Sequence, residues 1–224
     1  MDAQEAFWRE LGPWPRWGPR AKPGPTPVST DVPPILEQVA PTAQGSALSQ
    51  DIEACTRCAL HEKRQRPAPG LIQPGTPWMF IGEAPGAEED QQGLPFVGSA
   101  GKLLDRMLLA LGLQRGLDAS IANVVKCRPP HNRTPSEEEC QRCLPYLHQQ
   151  IAVVNPRIIV LLGRVAAHNL LSTQGSMGTL RGRLHHIGNI PAIVTWHPAY
   201  LLRSPQEKAG AWADLCLARR QVTK

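Results

Sequence analysis

No run of about 18 apolar residues occurs in these 224 residues, so no segment reads as a helix that crosses a membrane. The first residues, MDAQEAFWRELGPWPRW, lack a basic stretch followed by an apolar segment and a small-residue cleavage site. No secretory signal is therefore read, and the expected address is the cytoplasm. No internal repeat is visible, and no Gly-rich loop ends in the Lys-Ser/Thr of a phosphate-binding P-loop. Charge of one sign is not extreme either: 24 Lys and Arg stand against 19 Asp and Glu, a net charge of +5. That balance suits a polyanionic partner without demanding one.

The six cysteines are the first positive signal. Under cytoplasmic conditions they are not expected to form structural disulfides. Cys55 and Cys58 make one CxxC, Cys140 and Cys143 a second, and Cys127 and Cys216 stand alone. Such spacing points to metal binding or redox chemistry, and from spacing alone a four-cysteine zinc fits as well as any iron–sulfur centre.

Residues 1–50 read as a Pro/Gly-rich arm without a core of its own, with a short amphipathic helix possible at Ala3–Leu11. The arm is read first as a linker. The other reading is a tail that docks another protein or touches DNA through Trp8, Trp14, Arg16, Trp17 and Arg20. From residue 51 to 224 the pattern is that of a compact domain. Apolar runs at 77–84, 120–127, 157–163 and 192–196 read as buried strands. Helical periodicity spans Ser99–Leu113, Pro135 opens a helix with Glu137–Glu139 in its first turn, another follows the third strand through Leu171, and a last one runs from Pro205 to Arg220. Alternation of strands and helices predicts an α/β fold of three layers, a central four-stranded parallel sheet flanked by helices.

In such a sheet, ligands bind beyond the carboxyl ends of the strands. The first strand runs into Gly82-Glu83-Ala84-Pro85-Gly86, then Glu88, Glu89, Asp90 and Gly93-Leu94-Pro95-Phe96-Val97-Gly98. The second ends near Asn123 and leads to Cys127-Arg128-Pro129-Pro130, and the fourth into His197-Pro198-Ala199-Tyr200. Each residue alone has an ordinary explanation as turn, solvated charge or core. Their shared position at strand ends marks a pocket.

GEAPGAEEDQQGLPFVGSAGKLLDRML, NVVKCRPPHNRTPSEEECQRCLPYL, PRIIVLLGRVA and HPAYLLR together resemble the family-4, iron–sulfur uracil-DNA glycosylases, in the same order and with similar spacing from about Cys55 to Asp214. The resemblance implies a monofunctional base-excision repair enzyme that flips uracil out of single- or double-stranded DNA, releases it and leaves an abasic site. It implies a [4Fe–4S] cluster on Cys55, Cys58, Cys127 and Cys143, with Cys140 as a stand-in for the last. Gly82, Phe96, Asn123 and His197 would bind uracil: Phe96 stacks on the ring, the Asn123 carboxamide accepts from N3–H and donates to O4, and His197 donates to O2 of the departing base. Cytosine reverses the pattern that Asn123 reads. Glu83 and Glu89 are the carboxylates for positioning water or stabilising the cationic sugar, with Glu83 nearer the sugar and Glu89 on the C5 side. Lys102, Arg128, Leu201, Leu202 and Arg203 are implied at the DNA backbone and groove, with Arg133 a further phosphate candidate. One leucine wedges into the vacated space, unless both pack as a first helical turn. A related group forms a covalent DNA adduct through a histidine in a basic insertion. That insertion is missing after CRPP, and His131 is given no nucleophilic role. A monomer is expected. A non-catalytic nucleic-acid binding module on the same fold is the rival reading, and it predicts a damaged pocket.

Overall fold

The computed structural model describes residues 43–222 of the chain. The expectations for the N-terminal arm, including the helix at Ala3–Leu11, lie outside these residues. The first described helix, α1 (Ala43–Glu53), runs across the expected boundary at 50 and buries Leu48 and Ile52 in the core.

The sheet has five strands: β1 (Trp78–Gly82), β2 (Ala119–Asn123), β3 (Ile158–Leu162), β4 (Leu184–Ile187) and β5 (Ile190–Thr195), in the order β2-β1-β3-β5-β4. The four expected strands are β1, β2, β3 and β5, and they are parallel. The addition is β4, an antiparallel edge strand paired to β5. Gly188 at φ +58° opens the two-residue turn between Ile187 and Ile190, a connection suited to a hairpin. Strand β4 alternates between exposed and half-buried residues, Leu184 through Ile187, which is how an edge covered on one face should look.

Residues of the buried strands alternate between two cores. Met79, Ile81, Ile159 and Leu161 face α1, α4 (Glu137–Val154) and α5 (Arg164–Leu171), while Trp78, Phe80, Ile158 and Val160 face α3 (Ser99–Ala110) and α8 (Lys208–Val222). The order of layers is helix, sheet, helix. The elements α2 (Ala87–Gln92), α6 (Met177–Leu180) and α7 (Pro198–Arg203) are short and border the strand ends.

Boundaries differ from the sequence reading in ways that matter at the site. Strand β2 stops at Asn123, so Val124–Cys127 leave the sheet. The helix after Pro135 is capped by Ser136, whose hydroxyl accepts from Glu139 N while the Glu139 carboxylate takes Ser136 N–H. The last helix is preceded by a separate turn at Pro205–Glu207. The chain steps from β1 to β2 on one side, then crosses to β3 on the other, so the carboxyl end of β1 is the topological switch point.

Candidate active site

A cleft of about 800 Å³ opens at that switch point, a volume suited to a small ligand. Glu83 follows β1 into it, Asn123 ends β2, Gly163 follows β3, and Trp196 and His197 follow β5. Phe96 arrives from the loop between α2 and α3.

Asn123 is 1% exposed, and its Oδ1 is buried without any hydrogen-bond partner. An unmet buried acceptor costs about 1–3 kcal/mol, which a ligand donor entering the cleft would recover. Backbone pairing fixes the residue: Gly82 and Asn123 are partners across β1 and β2, and Val124 N–H donates to Gly82 O at 2.9 Å. Gly82 is where it must be. A Cβ there would lie 2.5 Å from Asn123 Oδ1 and collide with the Phe96 ring.

Phe96 is held against its backbone preference, at φ +54°, which a bulky side chain adopts at a cost on the order of 1–2 kcal/mol. Arg115 clamps it, donating Nη1–H to Pro95 O and Nη2–H to Phe96 O, each at 2.9 Å, with Asp105 2.6 Å from the same guanidinium. The ring is 4% exposed and lies 5.6 Å from the His197 ring at an interplanar angle of 30°.

His197 caps α7: its Nδ1 accepts the Ala199 N–H at 3.2 Å. An accepting Nδ1 puts the proton of the neutral ring on Nε2, which is then the donor. Burial pulls the pKa down to about 4, helped by the Arg203 charge and opposed by Glu89. The imidazole is therefore a neutral hydrogen-bond donor through the physiological range. Gly163 makes room for it, at φ +89° and with an imagined Cβ 3.0 Å from that of His197.

The two candidate carboxylates separate in role. Glu83 is half-buried in the cleft, and burial raises its pKa, while a Thr134 hydrogen bond and the Arg164 charge pull it back. Glu89 borders the cleft too, yet its oxygens are occupied by the main chain. Oε2 accepts from Gly86 N, and Oε1 from both Val97 N and Gly98 N, each at 3.0 Å. It staples the loop after β1 to the loop that carries Phe96. That leaves Glu83 as the carboxylate offered to a substrate.

Among the residues expected at DNA, Arg203 lines the cleft, exposed at its rim. Leu201 is 1% exposed and packs inward as part of α7, so only Leu202, 43% exposed, projects. Lys102 is exposed on α3, and Arg128 donates Nε–H to Asn132 Oδ1 at 2.7 Å; neither borders the cleft. Arg133 does border it, in a two-pronged pair with Glu139 at 2.6 and 2.8 Å. His131 is exposed.

A second, smaller pocket is lined by Cys55, Cys58, Cys127 and Cys143 and not by Cys140, which lies by Glu139 and Asn169. Among the described residues no three His, Cys, Asp or Glu stand close enough to share one metal ion. The four thiols instead surround the pocket. N–H donors already point at two of them: Arg64 Nη1 to Cys127 Sγ at 3.0 Å and Arg57 N to Cys55 Sγ at 3.5 Å. Burial pushes the Cys143 thiol up to about 11, against the charge of Lys126. Soft donors with N–H groups around them fit an iron–sulfur centre.

The sequence reading passed over Arg115, Thr134, Arg164 and the Trp196–Tyr200 ring pair, 4.6 Å between centroids, although all but Arg115 touch the cleft or its carboxylate. Arg115 acts across 19 residues, and nothing local announces it.

An α/β sheet with a cleft at its switch point, furnished with a ring, a carboxamide, a neutral histidine and a half-buried carboxylate, is the frame of a nucleobase-binding domain. The pattern of the uracil DNA glycosylase superfamily matches residues 69–217, and the chain belongs to that superfamily, in its type-4 branch. It is 43% identical over 179 residues to a type-4 uracil-DNA glycosylase of Pyrobaculum aerophilum, covering 76% of this chain and 90% of that one. Type-4 uracil-DNA glycosylases of Archaeoglobus fulgidus and Thermotoga maritima are 40% and 43% identical, each over 70% of this chain and 82% of theirs.

Proposed function

We infer that this chain excises uracil from DNA, hydrolysing the N-glycosidic bond to leave free uracil and an abasic site for base-excision repair. The observation that carries the reading is the orphaned Asn123 Oδ1, buried in the wall of the cleft that Phe96 also lines. Uracil supplies what it lacks: N3–H donates to Oδ1, and O4 accepts from the same carboxamide. Flipping the nucleotide out costs a few kcal/mol of stacking and pairing, offset by these contacts and by the face of Phe96.

Bond cleavage leaves positive charge on the sugar and negative charge on the base, as in other glycoside hydrolyses. His197 donates Nε2–H toward O2 of the leaving base and strengthens that bond as charge develops. Glu83 stabilises the cationic sugar and orients water, and Arg203 and Leu202 meet the DNA at the rim. Glu89 and Arg115 position the Phe96 loop. No lysine borders the cleft among the described residues, in keeping with hydrolysis and no lyase step.

Cys55, Cys58, Cys127 and Cys143 would hold the [4Fe–4S] cluster, which joins the segment after α1 to the body of the domain and takes no part in bond cleavage. The enzyme works as a monomer in the cytoplasm, on uracil in single- or double-stranded DNA, and the segment before α1 serves as an arm that docks another protein. The test is cleavage of a labelled oligonucleotide with one uracil, resolved after hot alkali beside a thymine control. Cutting at uracil alone supports the reading. Binding without release of base would hand the chain to the binding-module alternative.

A further inference from the structure

Lys126 is 1% exposed, one of the largest fully buried side chains, and lies between the two pockets. Its ammonium donates to Asn123 O and to Gln150 Oε1, both at 2.6 Å. Gln150 is itself 1% exposed, and its Nε2 donates to Pro69 O at 2.6 Å. Among the described residues no carboxylate pairs with Lys126. Neutral partners alone leave a buried ammonium several kcal/mol short of its hydration, and a neutral side chain would serve two carbonyl acceptors more cheaply. Lys126 lines the thiol pocket with Cys127 and Cys143, whose sulfurs would carry negative charge as thiolate ligands of a bound cluster.

The stretch from 123 to 127 thus spans both sites. At one end Val124 and Val125 N–H hold Gly82 O and Glu83 O, at 2.9 and 3.1 Å; at the other Cys127 enters the thiol pocket. Lys126 folds back onto the carbonyl of the residue whose carboxamide reads uracil. We propose that Lys126 is a positioning residue that couples the iron–sulfur centre to uracil reading: the thiolates hold its ammonium, and the ammonium holds the Asn123 main chain. This rests on the cluster reading above. A cluster that only staples the fold would leave uracil affinity unchanged when this link is cut.

Lys126→Met and Gln150→Leu test it, with Lys208→Met, at an exposed site on α8, as the control. Each protein is assayed for iron and visible absorbance, for melting temperature, for inhibition by free uracil, and for binding to an oligonucleotide carrying an abasic site. In protein that retains iron, the inhibition constant for uracil is expected to rise about tenfold, the worth of one well-placed hydrogen bond. Abasic-DNA binding, which needs no base to be read, stays within about twofold. Gln150→Leu keeps the ammonium beside the thiols, so it carries the test if Lys126→Met loses its iron. Iron-loaded variants with unchanged uracil inhibition overturn the coupling alone. A wild-type chain purified anaerobically without iron overturns the cluster reading, and the coupling with it.

Discussion

Gly82→Ala puts one methyl group at the centre of the site without removing any polar atom. The φ of Gly82 lies outside the left-handed region, so alanine suits the backbone and the effect is one of space. The new Cβ would lie 2.4 Å from Phe96 Cζ and 2.5 Å from Asn123 Oδ1, where a Cβ essentially never comes within 3.0 Å of a neighbour. The carboxamide must then retreat by at least 0.5 Å (3.0 − 2.5). Neither neighbour yields easily: the strand ladder holds Asn123, and Arg115 pins the backbone of Phe96. A misplacement of about 1 Å costs on the order of 100-fold in rate, so half to all of that shift predicts a roughly 10- to 100-fold loss, about 1.4–2.7 kcal/mol of transition-state stabilisation. Overpacking also destabilises a core by about 1–3 kcal/mol, so the assay belongs well below the variant's melting transition. Single-turnover cleavage of a uracil oligonucleotide gives the rate, and circular dichroism gives the melt. A folded Gly82→Ala protein that cleaves within about twofold of wild type would refute the claim that Gly82, Phe96 and Asn123 form one fitted wall.

The pH profile assigns the ionising group. His197 is already neutral above about pH 4, so its imidazole should contribute no inflection to kcat/KM near 6.5; Glu83, raised by burial above the ordinary 4.5, must be ionised, so activity should fall as pH drops through that raised value, and Glu83→Gln should remove the limb with most of the rate. An inflection near 6.5 that survives in Glu83→Gln would contradict the neutral His197, and an unchanged acid limb and rate in that variant would contradict the role of Glu83. Arg115→Ala frees Phe96 from its left-handed backbone: a loss of roughly 10-fold in kcat/KM is expected, with stability lowered by two lost hydrogen bonds, about 1 kcal/mol each, less the strain released, and an unchanged rate would show that the clamp is not needed. Cys143→Ser should lose iron and visible colour while Cys140→Ser keeps both; the reverse outcome would move the fourth ligand to Cys140.

What the sequence disclosed, and what it hid, follows from the range of the interactions. Apolar runs at 77–84, 120–127, 157–163 and 192–196 reveal strands because burial on both faces needs unbroken apolar residues, and motifs at strand ends reveal the site because loops there converge. Strand β4 escaped because Leu-His-His-Ile is short and covered on one face only. Nothing in the run 120–127 marks Lys126, since only the fold supplies Gln150 and the thiol pocket around it. Glu89 reads as one of three solvated or catalytic acids. Its work on Gly86, Val97 and Gly98 needs two loops brought together. The resemblance implies Cys143 rather than Cys140 as the fourth ligand, and of the two only Cys143 lines the thiol pocket.

The most direct test of the account is the single-turnover rate of Asn123→Ala on an oligonucleotide with one uracil, measured beside wild type. Loss of a carboxamide that makes two hydrogen bonds to the base predicts a fall of about 100-fold or more, with the melting temperature little changed. A folded Asn123→Ala enzyme that still releases uracil at a rate within about threefold of wild type would contradict the claim that this side chain reads the base.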